Sequence, residues 1–320
     1  MASENLKIIK TKRRLQKGNL PPTLLWQGDV ETFLDNLPSE EKFDLVITSP
    51  PYNIGKPYEE KVDLHEYLEW QKRVIGKCLD RLNDGGSICW QVGNYLEKGT
   101  KGKASAIMPL DILFFDIFNS FGLKLRNRII WHFGHGLHCK HRFSGRYEVV
   151  LWFTKTDDYY FDLDAVRVKP KYPGKKHFKG PRIGQYSSNP KGKNPEDLWE
   201  VTDEMLTAWD MPIWEVPNVK SNHIEKTLHP CQFPVALVDR FVLSMTPFGG
   251  TVFDPFAGVA SAGVAALLNG RQFRGCEVVD EYIEIGRKRL DEAMRGEAKF
   301  RPFDKPIYDH RKSNLSKRSK

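Results

Sequence analysis

Residues 251–268 read TVFDPFAGVASAGVAALL. A strand-like apolar run breaks at Asp254-Pro255, passes through a turn of small residues, and resumes as an alanine-rich helical pattern. At the carboxyl end of a strand in a doubly wound sheet, such a turn is where nucleotides bind. Small side chains let the ligand approach the backbone, and the helix N-terminus offers free N–H groups. The next strand-like run, FRGCEV, places an acid at Glu277, about 20 residues beyond the turn, the spacing that suits ribose hydroxyls. The second and third glycines of a GxGxxG pattern are missing, so a dinucleotide fingerprint is a poor match. The bland alternative is a tight strand–helix turn that binds nothing.

Working outward, strands and helices alternate. TLLWQGD reads as a short strand, VETFLDNL as a helix, and FDLVITS as a buried strand. LHEYLEWQKRVIGKCLDRL is a long amphipathic helix stopped by NDGG, and SICWQVGN is the next strand. PLDILFFDIFNSFG is a helix ended by Gly122, followed by the strands KLRNRIIWHF and RYEVVLWFTK. Around the opening stretch, PVALVDRFVLSM and DEYIEIGRKRLDEAM are helices. This alternation predicts an α/β fold, a parallel-rich sheet with helices on both faces.

Composition sets the bounds. With 320 residues, 40% of them hydrophobic, the chain can bury a sizeable core. The net charge of +8 speaks for a polyanionic partner such as nucleic acid, and says nothing about fold. No apolar run approaches the roughly 20 residues that a membrane helix needs. The N-terminal MASENLKIIKTKRR has charge but no apolar run after it, unlike a secretory signal. Five scattered cysteines fit a reducing compartment better than a disulfide framework, so a cytoplasmic protein is expected.

The alternation fails in residues 165–195, AVRVKPKYPGKKHFKGPRIGQYSSNPKGKNP. Nine Lys or Arg, five Pro and four Gly occur there without one Asp or Glu, and Tyr172, Phe178 and Tyr186 are interleaved. A loop this long inside a compact domain is usually functional or disordered.

The second chemistry-bearing stretch is FDLVITSPPYNIG, residues 43–55. Pro50 and Pro51 fix their φ angles, donate no hydrogen bond, and push the residue before each into extended geometry. The carbonyls of TSPP then form a stiff row not consumed by a helix, beside the Ser49 hydroxyl. Tyr52 adds a flat face on which a ring can stack. Together they describe a pocket for an exocyclic amine on a nucleobase. A proline-terminated strand with a packed tyrosine is the alternative.

TSPPY together with FDPFAG resembles the amino-methylating DNA methyltransferases that use S-adenosylmethionine. HPCQFPVALVDRFVLSMTPFGG, DGGSICW, RYEVVLWFTK and LLWQGDVETFLDNLP resemble further segments of that family, and the likeness spans most of residues 20–295. SPPY precedes the cofactor turn with the basic region between them, an order that resembles the permuted beta class. The resemblance implies a Rossmann-like, seven-stranded, circularly permuted methyltransferase sheet with an inserted target-recognition region. Residues 1–19 would form a basic N-terminal arm, 20–155 the catalytic half, 156–222 the target-recognition region, 223–297 the cofactor half, and 298–320 a basic tail.

In this family the residue before PPY tracks the target, Asp for adenine N6 and Ser for cytosine N4. Ser49 therefore implies cytosine N4 in duplex DNA, with adenine N6 the runner-up and RNA methylation a further alternative. The flipped base would stack on Tyr52. Ser49 and the carbonyl of Pro50 would hold its amino group, with Pro51 stiffening the shelf. Transfer would be a direct in-line displacement that needs positioning more than a strong base. The resemblance assigns the cofactor to Phe253, Asp254, Pro255, Phe256, Ala257, Gly258 and Ser261 of the turn, with Thr48 beside it. Glu277 would take the ribose, Asp29 the adenine, and His229, Gln232 and Phe233 the methionine end. Lys169, Lys171, Lys175, Lys176, Lys179 and Arg182 would contact DNA. A cognate restriction endonuclease and a homodimer are partners the resemblance leaves open.

Two motifs point elsewhere. Pro230-Cys231-Gln232 matches the nucleophile loop of C5-cytosine methyltransferases, but it precedes the cofactor turn and no Glu-Asn-Val partner accompanies it. His132, His135, His138, Cys139 and His141 are crowded, yet their spacing matches no paired zinc motif, and no metal is expected.

Overall fold

The computed structural model describes residues 6–9, 21–56, 59–97, 106–133, 139–140, 142–168, 172, 174–199, 219 and 223–301. In chain order the strands are β1 (Leu6–Ile9), β2 (Thr23–Gln27), β3 (Phe43–Thr48), β4 (Leu82–Val92), β5 (Asn94–Glu97), β6 (Ala106–Pro109), β7 (Lys124–His132), β8 (Tyr147–Thr154), β9 (Leu198–Trp199), β10 (Thr251–Asp254) and β11 (Gln272–Glu277). The helices are α1 (Val30–Asn36), α2 (Leu64–Arg81), α3 (Leu110–Ser120), α4 (Val235–Met245), α5 (Ser261–Leu268) and α6 (Asp280–Met294).

Nine of these strands form one sheet in the order β1-β2-β11-β10-β3-β4-β8-β7-β9. The seven from β2 to β7 are the expected sheet. β1 and the two-residue β9 extend its edges, and β5 with β6 forms a separate hairpin; the sequence pattern marked none of these four strands. β8 runs antiparallel between β4 and β7, while the pairs from β1 to β4 are parallel.

Both faces of the sheet are covered, which is why the middles of β3 and β10 are continuous apolar runs rather than alternating. Leu25, Leu45, Ile47, Val252 and Phe273 point into a core shared with α4, α5 and α6. Leu24, Phe43, Val46 and Phe253 point into a second core with α1, α2 and α3. In β3 the register shifts between Phe43 and Leu45, so Phe43 can share a face with Val46 rather than with Leu45. Phe43 then stacks on Phe253 at 4.4 Å between ring centroids. Asp44, at the shift, accepts hydrogen bonds from Thr251 N and Asn83 Nδ2, both 2.8 Å, and so ties the start of β10 to β3.

Small residues set the helix spacing. A Cβ on Gly263 of α5 would lie 2.6 Å from Leu290 and 2.7 Å from Phe273, so α5 packs against α6 and the sheet only with glycine there. NDGG does not act as the loop after α2. β4 begins at Leu82 directly behind Arg81, whose guanidinium donates to the carbonyls of Leu34, Leu37 and Pro38 at the end of α1.

The aperiodic basic stretch is docked to this sheet. A 3-10 turn at Asp164–Val166 buries Val166 against the core of α4, and Val168 pairs with Lys193 in antiparallel fashion. Lys176 pairs with Tyr186 further along, and β9 then joins β7. Among the described residues, no helix is long and apolar enough to cross a membrane.

Candidate active site

The carboxyl ends of β2, β3, β10 and β11 open on a cleft of about 590 Å³. Two turns build it. The first follows β10, where Asp254 is buried and accepts from Thr48 Oγ1 at 2.6 Å and from Phe256 N at 3.1 Å. Burial raises the Asp254 carboxyl to about 7. The backbone then doubles back, with Gly258 at φ 51° and Ala260 at φ 58°, both left-handed, before α5 begins. A Cβ on Gly258 would sit 3.1 Å from the His229 ring, so glycine lets that histidine close over the turn.

Glu277, at the end of β11, accepts from Gly258 N at 2.9 Å and from Val278 N and Val279 N at 2.9 and 2.8 Å. Burial raises its carboxyl, and the backbone donors oppose that rise. Glu277 therefore clamps two chain segments as well as facing the cleft. Asp29 likewise has a structural task, capping α1 by accepting from Thr32 N at 2.7 Å. His229 packs edge-on against Tyr282, and burial lowers its imidazole to about 4, which keeps it neutral.

The second turn follows β3. Ser49, Pro50, Pro51 and Tyr52 all line the cleft. Tyr52 Oη lies 3.4 Å from Ser49 Oγ. Burial, with the Glu148 carboxylate nearby as a lesser cause, raises the Tyr52 phenol well above its usual value. The loop behind it is held from several sides. Glu59 accepts from the backbone N–H of Asn53, Ile54 and Lys56 at 2.9, 2.8 and 3.2 Å. Asn53, at φ 59°, exchanges two 2.8 Å hydrogen bonds with the backbone of Val62. Tyr67 Oη donates to the Pro51 carbonyl at 2.7 Å. The row of free carbonyls expected of TSPP thus loses one member to a tyrosine.

Of the residues assigned from sequence, Asp29, His229, Gln232, Phe233, Asp254, Pro255, Phe256, Ala257, Gly258, Ser261 and Glu277 line the same cleft as the proline loop. Thr48 and Phe253 do not. Thr48 acts through Asp254, and the Phe253 ring lies in the core against Phe33 and Phe43. Gln232 reaches the cleft but already bonds Thr227 and the Glu225 carbonyl. Lys175, Lys176, Lys179 and Arg182 are exposed on the basic segment, while Lys169 and Lys171 lie outside the described residues. So do His135, His138 and His141 of the histidine cluster. Cys231 is exposed at the cleft wall.

Sequence reasoning missed Tyr67, Trp70, Gln91 and Glu148 on that wall. Trp70 packs edge-on to Phe256 at 5.5 Å and lies against Tyr67, which holds Pro51, so α2 joins the two turns. Gln91 on β4 donates to the Glu148 carboxyl on β8. No local pattern marks them, since each belongs to an ordinary amphipathic or buried element.

A strand order with one antiparallel strand near the edge, helices on both faces, and a small-residue turn facing a proline loop define the fold of the S-adenosylmethionine-dependent methyltransferases. Residues 43–288 match the family model described as DNA methylase, the N6/N4 methyltransferase family, and the chain belongs to that family. It is 44% identical over 267 residues to type II methyltransferase M.BglII of Bacillus subtilis, covering 83% of this chain and 68% of that one. It is 30% identical over 308 residues to the DNA adenine methyltransferase YhdJ of Escherichia coli K12, covering 95% and 93%. Among solved structures, the PvuII cytosine-N4-specific DNA methyltransferase superposes with a TM-score of 0.59 at 21% identity, over 86% of this chain and 93% of that one. TTHA0409 of Thermus thermophilus, in complex with S-adenosyl-L-methionine, gives 0.60 at 21% identity, over 89% and 100%.

Proposed function

We propose that this chain transfers a methyl group from S-adenosylmethionine to the exocyclic amino group of a base flipped out of duplex DNA, and that the base is cytosine, methylated at N4. The observation that carries the reading is the single cleft shared by the two turns, coupled through the Thr48–Asp254 hydrogen bond. The residues present suit the cofactor. Glu277 offers a carboxylate at the strand end, and the left-handed Gly258 keeps the turn open to close approach. His229 is the lid over that turn. When bound, S-adenosylmethionine supplies an electrophilic methyl group. The chain's own residues then do the positioning. The Tyr52 ring is the stacking floor, and Ser49 Oγ and the Pro50 carbonyl receive the amino hydrogens, which aims the nitrogen lone pair along the cleft.

Cytosine N4 rests on Ser49 standing before PPY. The second reading, adenine N6, is favoured by the likeness to YhdJ over most of both chains. In the domain reading that goes with this function, SPPY and the cofactor turn are the two halves of a permuted catalytic domain, and residues 156–222 select the DNA site. Double-stranded DNA is the macromolecular partner; an associated endonuclease or a second copy of the chain is compatible with it.

Methylation-aware sequencing of DNA from cells expressing the protein reads the base, the position and the sequence context together. N4-methylcytosine at a fixed motif is expected; N6-methyladenine would transfer the assignment to the second reading. Ser49→Ala should lower single-turnover methylation by about 10²-fold while calorimetric binding of S-adenosylmethionine stays within about a factor of two. Undiminished turnover in that variant would remove Ser49 from the mechanism.

A further inference from the structure

The wall of the cleft facing the proline loop is not apolar. It carries Gln91 and Glu148, brought together by the antiparallel pairing of β4 with β8. The pairing sets Gln91 opposite Val150 and Val92 opposite Val149, so the next step along the ladder brings Gly93 beside Glu148. A Cβ on Gly93 would lie 3.1 Å from the Tyr52 ring and 3.4 Å from Glu148 Oε1. The missing side chain is therefore what lets the carboxylate and the tyrosine approach one another. Glu148 Oε2 accepts from Gln91 Nε2, and Oε1 is the oxygen left on the Tyr52 side. Gln91 itself is buried, so its amide fixes the carboxylate from behind.

We infer that Glu148 is the acceptor for the proton that the reacting amino group sheds, with Gln91 as the residue that positions it. This inference rests on the amino-methyltransferase reading above. In the step, the amino lone pair forms the new N–C bond, and the pair of the breaking S–C bond stays on sulfur, so the sulfonium becomes a thioether. The nitrogen, now carrying one bond too many, releases H⁺ to the Glu148 carboxylate and keeps the N–H electron pair. The carboxylic acid then returns the proton to water through the cleft.

The electrostatics suit a weak base of this kind. Burial raises the Glu148 carboxyl to about 7, and the Gln91 hydrogen bond opposes that rise. A general base works best when its pKa lies near the operating pH. Among the described residues, the groups facing Glu148 include Tyr52 from the proline loop, Gln91 from β4, and Trp131, its register partner on β7, with His132 the next residue on that strand. Cys231 lines the cleft too and couples to Tyr52. Among the described residues, burial and the Gln91 hydrogen bond are the influences that set the Glu148 carboxyl. Since the carboxylate is the working form, methylation should rise with pH through the neutral range and level off above it.

The test compares the full-length protein with Glu148→Gln and Glu148→Asp, using single-turnover methylation of duplex DNA between pH 5.5 and 9. Glu148→Gln should lose about 10²-fold at the plateau and its acid limb should vanish, while calorimetric affinity for S-adenosylmethionine is retained. In the infrared spectrum of the wild-type protein, protonated carboxyl bands of Glu148 and Asp254 should both titrate near neutrality, and Glu148→Gln should lose the Glu148 component and keep that of Asp254. Should that variant lose cofactor binding, Glu148→Asp carries the test, and it must keep the acid limb on a lower plateau. Glu148→Gln with an unchanged rate and acid limb would overturn the inference, as would a flat profile in Glu148→Asp. If Ser49→Ala is crippled while Glu148→Gln is not, only Glu148 is dismissed. If the wild type methylates no DNA, the underlying reading falls.

Discussion

At the scale of single residues, Glu277 has a structural task beside the cofactor contact proposed for it. Its carboxylate holds the N–H of Gly258 across the turn and those of Val278 and Val279 beside it. Hydrogen bonds from neutral donors to a charged group contribute roughly 1.5–3 kcal/mol each when buried. Removing the carboxylate therefore releases the turn, and with it the ribose contact proposed for this residue. Glu277→Ala should raise the dissociation constant for S-adenosylmethionine by about 10²-fold by calorimetry, and Glu277→Gln by less, because its amide oxygen still accepts. An unchanged constant in both would detach Glu277 from the cofactor.

At the scale of elements, the proline loop is preorganised by its neighbours. Glu59 and Asn53 satisfy the backbone after Tyr52, and Tyr67 on α2 holds Pro51. Glu59→Ala strands three N–H groups and should slow single-turnover methylation by about tenfold to a hundredfold, since small misplacements of reacting groups are costly. Its melting temperature should shift by only a few degrees, because the segment after Tyr52 that Glu59 holds adds no residue to either core. Rapid-quench kinetics beside thermal melts checks the pair; equal losses in rate and stability would make Glu59 a folding residue instead. The strands on either side were legible because a doubly buried strand is a continuous apolar run, and the small-residue turn after β10 is a local pattern. Glu59, Tyr67, Gln91 and Glu148 were not. Gln91 and Glu148 meet only because β8 inserts antiparallel beside β4, and Thr48 meets Asp254 across 206 positions. The basic stretch hid its ladder for another reason: prolines and glycines erase the two-residue period that marks a strand.

At the scale of the whole molecule, charge is distributed to suit a polyanion. The net +8 is not spread evenly, and the segment around the Lys176–Tyr186 pairing presents Lys175, Lys176, Lys179 and Arg182 with an exposed Phe178 and Tyr186. Lys176 Nζ sits 5.3 Å from the centre of the Tyr186 ring. Reversing charge at Lys175 and Lys176 together should weaken DNA binding. It should also flatten the plot of log affinity against log salt by about 0.9 for each phosphate no longer neutralised. Cofactor affinity should not change. Fluorescence anisotropy across a salt series measures the slope, and an unaltered slope would place the DNA on another face.

The sheet order has a consequence for the newborn chain. β2 and β3 flank the two-strand gap that β10 and β11 fill, yet more than half the chain separates them in synthesis. The growing chain therefore carries seven of the nine sheet strands with two unsatisfied inner edges, each a template for mispairing, before the missing two emerge. The small-residue turn after β10 also arrives late, with α5, β11 and α6 behind it. No truncated product ending before it can carry both walls of the cleft, so a partly made enzyme cannot mark DNA.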